Sequence, residues 1–402
     1  VAVSSRLTWL GIARETYPGM AQLPVAAVPV DQSGYEPEDT PSFLLDTGVR
    51  SSMGQVAGAV PGTLSSVLGF SGPLYPGSSG WWLDNLLGDT SAVPGGTLGT
   101  AQPLAAPLNI GDTSLTVATS LGAVGVNSVI VISDGNASEV MFASAGSSGT
   151  TPVFAAFPCR FPHSTFATAA LQTVANGYTH TFAALNAGTG QPPSHTLTDT
   201  TGLVAGTLAR AYPYAVVTQM DLAGDPGAGW VTAKVSGVAW PSQPSAAVVA
   251  WPQPPYVAPF AGWQSVVTTG GSVPYAGRWS VSMKRQTVAY RSAQNSLQAW
   301  IIARGPLVVT GTLDYPDPSD ETPLSQMTSG AQPAVQIALA YGVASFTVTC
   351  SQVQFTKSKA DRTRVALGYG NAFQALDNST DAGGSGGLSP VQVTVQSLIP
   401  AY

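Results

Sequence analysis

The stretch from Arg278 to Tyr315, RWSVSMKRQTVAYRSAQNSLQAWIIARGPLVVTGTLDY, constrains the fold more than any other. Trp279, Val281 and Met283 alternate with Ser280, Ser282 and Lys284, the period of two that gives a strand one buried and one wetted face. Leu307, Val309 and Leu313 repeat the pattern against Val308, Thr310 and Thr312. Gly311 stands in the apolar phase, where no side chain would pack. Gly305-Pro306 reads as a turn between the two strands, because proline fixes φ and glycine tolerates positive φ. A sheet starts here, and the flanking sequence is expected to complete it.

The rest of the chain keeps to the same period, with one exception. SSGWWLDNLLGD, from Ser78 to Asp89, predicts a helix with Ser79 as cap, an apolar face of Trp82, Leu83, Leu86 and Leu87, and Gly88 as a left-handed stop. So short a helix cannot stand alone and must pack on the sheet. Residues 1–76 read as strand and loop, with an N-terminal arm broken up by Pro18-Gly19, Pro24 and Pro29. The small-residue run around Val49, Val56 and Val60 predicts a strand that packs against nearby backbone or lines a tight wall. Gly, Pro, Thr and Ala dominate residues 90–106, a linker composition. Beyond it, Leu115 and Val117, the run Val129 to Ile132, a turn at Ser133-Asp134-Gly135-Asn136 and a return strand form an all-β pattern of their own. The expected division is residues 1–102 and 176–402 as one domain, with 103–175 as an inserted β module. Tyr178 onward supplies further strands, including hairpins at Asp225-Pro226-Gly227 and Tyr341-Gly342, a Pro-rich extended crossing at residues 240–263, and a closing strand VQVTVQSL.

Composition narrows the class. Hydrophobic residues make up 44% of the chain but charged residues only 9%, against roughly 25% in ordinary soluble domains. Like-charge repulsion keeps solvated monomers apart, so much of this surface is expected to be covered by copies of itself. The net charge of −6 is unevenly placed: residues 1–277 hold six Lys or Arg against fourteen Asp or Glu, whereas residues 278–402 hold nine against seven. Asp31, Glu36, Glu38, Asp39 and Asp46 cluster near one end, and Lys357, Lys359, Arg362 and Arg364 near the other. Opposite ends of opposite sign suit head-to-tail contacts between identical subunits. Two solvated loops would carry the same charges.

At the level of whole segments, the succession LTWLGIARETYPG, a Gly-rich strand and WWLDNLLG, then YTHTFAALN, GRWSVSMKRQ, GPLVVTGTLDY, FTVTCSQVQFT and NSTDAGGSGGLSPVQVTVQS resembles the major tail tube proteins of long, non-contractile-tailed bacteriophages. The inserted segment, with CRFPHSTFATAALQTV, is similar to a β module found inserted in that family. The resemblance implies a mainly β chain: a β-sandwich or barrel tail-tube domain with one packed helix, plus a small all-β insert. It further implies hexameric rings stacked into a hollow tail, with sheet edges as assembly contacts. Partners would be the chain itself and the tape measure, tail terminator and tail tip proteins. The location would be the virion tail, assembled in the host cytoplasm. Double-stranded DNA would pass through without sequence-specific binding, and a wall poor in Lys and Arg suits that, because each cation that neutralises a phosphate releases counterions and raises affinity. Ser280, Ser282, Thr310, Thr312, Thr347 and Thr349 are the candidate lumen-facing residues. The acidic and basic clusters named above are the candidate inter-subunit or inter-ring contacts.

Catalytic, cofactor and metal readings find little support in the sequence. Gly383 to Gly387 matches GxSxG, but a nucleophile elbow needs a strand before it and a helix after it. His163, His180 and His195 lack metal-ligand spacing, and Asp134 with Glu139 is too few carboxylates for a calcium loop. Cys159 and Cys350 are expected to be buried thiols. The sequons at Asn136 and Asn378 matter only on an exported chain. No apolar run approaches the roughly 18 residues of a membrane span, and LTWLGI is too short for a signal-peptide core; both argue against export or anchoring. The competing expectations are a cell-surface adhesin or carbohydrate-binding β protein, and a tail terminator or decoration protein.

Overall fold

The computed structural model describes the chain apart from residues 1–7, 32–33, 49–53, 95–98, 110–111, 126–127, 134–137, 145–146, 154–162, 173–176, 202–208, 228, 246–257, 273–274, 294–295, 317–320, 343, 362–367 and 400–401. The described chain is mainly β. It opens with β1 (Thr8–Arg14), β2 (Ala26–Val28), β3 (Glu38–Asp46) and β4 (Gly58–Pro73), followed by helix α1 (Pro76–Leu86) and β5 (Gly88–Pro94). Next come β6 (Gln102–Pro103), β7 (Val129–Ser133), β8 (Ser138–Phe142) and β9 (Thr168–Gln172). The third group is β10 (Tyr178–Ala184), β11 (His195–Thr201), β12 (Ala209–Gly224), β13 (Thr232–Ala239), β14 (Gln243–Ser245) and β15 (Ser265–Thr269). The chain finishes with β16 (Trp279–Tyr290), β17 (Ile301–Tyr315), helix α2 (Thr322–Ser329), β18 (Val335–Tyr341), β19 (Ala344–Cys350), β20 (Val353–Asp361), β21 (Gly368–Ala375) and β22 (Gln392–Ser397).

Two sheets face each other across one core. The larger runs β3-β4-β13-β12-β16-β17-β21-β20, and the first half of β12 also carries β11, β1, β2 and β14. The smaller is six-stranded, in the order β15-β18-β19-β22-β10-β5. Alternation along each strand sends one set of side chains inward: Met220, Val281, Val309 and Leu313 from the larger sheet meet Ile337, Phe346, Val393 and Val395 from the smaller. Each such side chain, fully buried, contributes roughly 1.5–3 kcal/mol. This is the sandwich geometry of sheets packed face to face.

Helix α1 fills the space between the sheets, touching β12 on one side and β22, β10, β19 and β5 on the other. Every residue from Ser78 to Leu86 is therefore buried, not just one face. Trp82 stacks on Phe70 at 5.3 Å between ring centroids, and Trp81 meets Tyr402 edge-on at 5.6 Å. The helix starts earlier than expected, with Pro76 in its first turn after Tyr75, a position where the missing N–H costs nothing. Ser79 Oγ donates back to the Pro76 carbonyl at 3.2 Å, so it caps nothing. Gly88 does adopt the left-handed stop, at φ 86°.

Three other expectations are corrected. Gly305-Pro306 is not a turn: it lies inside β17, where two residues oppose Gln286 alone and the register shifts between Arg285 and Thr287. A bulge uses the same residues as a turn, because proline has no N–H to give the ladder and glycine accepts the bend. The segment expected as an arm supplies β1 instead, paired on both sides with β2 and β11, with Leu10 and Ile12 in the core. The small-residue run lines no tight wall where β4 begins: Gly58 to Leu64 form a largely exposed ribbon with β3, in which a Cβ on Gly62 would stand 3.3 Å from the Ser42 carbonyl. Helix α2 was not anticipated, although Pro323 in its first turn and Gly330 at φ 72° are ordinary start and stop signals.

Residues 102–172 hold a four-stranded sheet, β6-β9-β7-β8, with a core of their own that includes Leu104, Leu115, Ile130 and Ile132. The segment is inserted between β5 and β10, which are antiparallel neighbours. Its end strands β6 and β9 pair with each other, so the chain leaves and re-enters at one place. Of the turn expected at Ser133-Asp134-Gly135-Asn136, the last three residues fall outside the description, and β7 and β8 pair up to Ser133 and Ser138.

A Cβ placed on Gly80 would stand 2.2 Å from the Tyr402 ring. Gly80→Ala is expected to lower stability by roughly 1–3 kcal/mol through overpacking. In a Tyr402→Ala background the same change should cost much less, and a double-mutant cycle by urea unfolding measures that coupling.

Candidate functional site

The six candidate lumen residues do not share a face. Ser280 and Thr312 are cross-strand partners with hydroxyls 2.7 Å apart, and Ser282 pairs with Thr310; these four lie together on the outward side of the larger sheet. Thr347 and Thr349 lie on the outward side of the smaller sheet, where Thr347 pairs with Thr394 and Thr349 with Gln392. The two sheets share one core, so these surfaces point in opposite directions.

The faces differ in charge. On the larger sheet, the row through Ser282 and Thr310 continues to Asp221 and Lys234, and the row through Ser280 and Thr312 ends at Lys357. Lys284 and Lys359 share that side. On the smaller sheet, one row reads Val266, Ala338, Thr347, Thr394, Thr181, Ser91 from edge to edge. The flanking row, Thr268, Gln336, Thr349 and Gln392, is equally uncharged. Asp89 lies in the same phase but is buried under a loop, where its carboxylate accepts from Ser385 N and Oγ at 2.7 and 2.6 Å.

The candidate contact residues fall on the two ends of the larger sheet. Among the described residues, β3 pairs only with β4 and β20 only with β21, so each is an edge strand. Glu38 and Asp46 lie exposed on β3 and Glu36 just before it, while Lys357 and Lys359 lie exposed on β20. Asp31 is exposed in the preceding loop. Arg362 and Arg364 lie outside the described residues. Asp39 is engaged within the chain: it accepts from Ser66 Oγ at 2.6 Å and from Ser242 N at 2.9 Å, and lies 3.5 Å from Arg210 Nη2. Desolvation pushes its carboxyl up, but the bonds from Ser242 and Ser66 and the Arg210 charge outweigh it, holding the group below the usual range.

A buried polar cluster, which no spacing in the sequence announces, sits where α1 meets β11 and β12. Asn85 Oδ1 accepts from Val217 N at 2.7 Å and its Nδ2 donates to the Ala215 carbonyl at 2.9 Å, which fixes the amide orientation. That Nδ2 lies 2.7 Å from His195 Nδ1, so Nδ1 must accept and the ring proton sits on Nε2, facing Asp84 Oδ2 at 3.5 Å. Desolvation, then the Arg304 and Arg14 charges, drive His195 down from 6.5 to about 3. Desolvation raises Asp84 despite Arg14, Thr90 and Arg304. Arg304, lowered to about 9 by desolvation and then by Arg285, donates to the Asn85 carbonyl and, at 3.1 Å, to Pro193 O. A cation there answers the negative end of the helix.

The arrangement is one of fastening. Every group in the cluster is buried except Arg14, which is about half exposed. Ser385 of the GxSxG match hydrogen-bonds to Asp89 and Asn186 in a loop, not on a strand-to-helix elbow. His180 meets the Ile399 carbonyl at 2.7 Å and His163 is buried in the inserted sheet's core region. Cys350 is a buried thiol, pushed up by desolvation; Cys159 and Asn136 lie outside the described residues. Among the described residues, no group of three or more His, Cys, Asp or Glu side chains could hold a metal ion, and no helix is long and apolar enough to cross a membrane. No family model and no curated protein matches the chain.

His195 is depressed in the folded state, so it contributes stability that is present above pH 6.5 and lost as pH falls toward about 3, at up to roughly 1.4 kcal/mol per pH unit. Asp84, raised, acts with the opposite sign, penalising the fold as it ionises. Urea unfolding at pH 7, 5 and 4 is expected to show a shallower acid decline in His195→Gln than in the parent chain.

Proposed function

We propose that this chain is a wall subunit of a phage-type tail tube, polymerising with identical copies into stacked rings around a passage for double-stranded DNA. The observation that carries the reading is the larger sheet, which ends in two edge strands of opposite charge: β3 with Glu38 and Asp46, and β20 with Lys357 and Lys359. Edge strands invite pairing with another chain unless they are covered, and helix α2 packs beside β20. Edges that differ in sign favour the heterologous contact that closes into a ring over contact between like edges. Hexameric symmetry, and end contacts with tape measure, terminator and tip proteins in the virion tail, follow from the family resemblance.

The ribbon formed by the far ends of β3 and β4 adds to this. Phe43, Leu44 and Leu45 are 58%, 67% and 57% exposed, with Val60 at 62%. A two-stranded ribbon is marginal in water by itself, and apolar side chains on such a protrusion mark a surface that is covered in the working state. With so few charges elsewhere, copies of the same chain are the partners that composition favours.

Negative-stain microscopy of the purified chain is expected to show open-ended tubes of uniform bore; isolated rings, knobs or a stable monomer at high concentration would reject the reading. Lys357→Glu with Lys359→Glu should reduce polymerisation at least several-fold while leaving the circular dichroism melt of the monomer unchanged. Adding Glu36→Lys and Glu38→Lys should restore assembly. Equal polymerisation of the Lys357→Glu/Lys359→Glu chain and the parent chain would remove the edge pairing.

A further inference from the structure

We infer that the six-stranded sheet faces the passage and the larger sheet forms the outer skin of the tube; this rests on the tube reading above. Two independent observations point the same way. The first is charge. A polyanion sliding along a wall is held back by each cation that neutralises a phosphate, because released counterions make the contact favourable. The outward side of the larger sheet offers Lys234, Lys284, Lys357 and Lys359. The smaller sheet offers threonine, serine, glutamine and small apolar side chains, and its one acid in that phase, Asp89, is roofed by the Ser385 loop.

The second is taper. The β3-to-β20 run of the larger sheet has eight strands and the smaller sheet six. At about 4.8 Å between neighbouring strands these span about 34 Å and about 24 Å between their outermost strands. Sandwiches arranged in a ring need their narrow side inward, since the inner circumference is the shorter. The charge-free sheet is also the narrow one. With that orientation, β3 and β20 meet their counterparts in the outer layer, and Thr181, Thr347 and Thr394 line the bore together with Gln336 and Gln392.

Single-cysteine variants distinguish the two orientations. Thr347→Cys and Thr394→Cys test the smaller sheet; Ser280→Cys and Thr312→Cys test the larger. Two positions per face guard against a variant that fails to fold. The unmodified chain gives the background from its own thiols. In dissociated subunits all four cysteines should react with both a small maleimide and a maleimide carried on a protein too large to enter the bore. In assembled tubes, Cys at 347 and 394 should react with the small reagent and at least tenfold less with the large one, while Cys at 280 and 312 should react with both. The reverse pattern, or equal protection of the two faces in tubes that do form, would overturn this orientation and leave the tube reading standing. Failure of the parent chain to form tubes at all would instead remove the tube reading, and the orientation with it.

Discussion

The fold depends on a kink in β12. The first half of that strand pairs with β11 and β14, the second with β13 and β16, and between them the register slips on both sides. At the slip, Tyr214 holds φ 52°, a left-handed conformation that a bulky residue adopts only under constraint. Glu15 supplies the constraint. Its carboxylate accepts from Tyr214 N and Thr196 Oγ1 at 2.8 Å, and from Ser194 Oγ at 2.6 Å and Gly19 N at 2.7 Å. On the other side Asn85 of α1 takes the Val217 N–H and the Ala215 carbonyl. The backbone groups that the bulge removes from the ladder are thus satisfied by two side chains from elsewhere, which is what allows a kink to persist in a core.

That kink decides which surfaces the chain presents. It lets one strand belong to two differently directed portions of the larger sheet, so β1, β2 and β11 turn away while β16, β17, β21 and β20 continue across the core. The continuing portion is wide, and its two ends remain edge strands. Helix α1, anchored to the kink through Asn85 and capped at its C-terminal end by Arg304, fills the gap between this sheet and the smaller one.

Much of this was legible in the sequence, and the failures have identifiable causes. The alternation of Trp279, Val281 and Met283 gave the core face of β16 correctly, and Gly311 is bare because the Phe373 ring lies 2.3 Å from where its Cβ would be. Alternation states that two faces exist but not which way either points; Ser280 and Thr347 look alike in sequence and end on opposite surfaces. Rows across the smaller sheet join Thr181 to Thr347 and Thr394, and only the strand order brings such distant residues together. Gly305-Pro306 could be a turn or a bulge, and the partner strand alone decides. Asp84 and Asn85 of α1, His195 of β11 and Arg304 of β17 come from three elements far apart in the chain, so no local spacing marks their cluster. The fragment ETPLSQMTSG carried a proline start and a glycine stop, yet only Pro323 of the resulting helix is buried, so periodicity gave it no weight.

The shortage of charge is deeper than composition suggests. Of the 15 Lys and Arg residues, Arg285 and Arg304 are buried. Arg14, Arg210 and Arg278 lie within 3.7, 3.5 and 2.8 Å of Asp84, Asp39 and Asp225. Of the eight described cations that are exposed, four are lysines on one side of the larger sheet. A body with so uneven a distribution has little long-range repulsion to hold neighbours off. In the proposed tube, its residual charges would let one edge attract the opposite edge of another copy. Low charge alone would lead to indiscriminate association. In the proposed tube, two unlike edges and a tapered cross-section would give that association one direction and one curvature, as a closed wall requires.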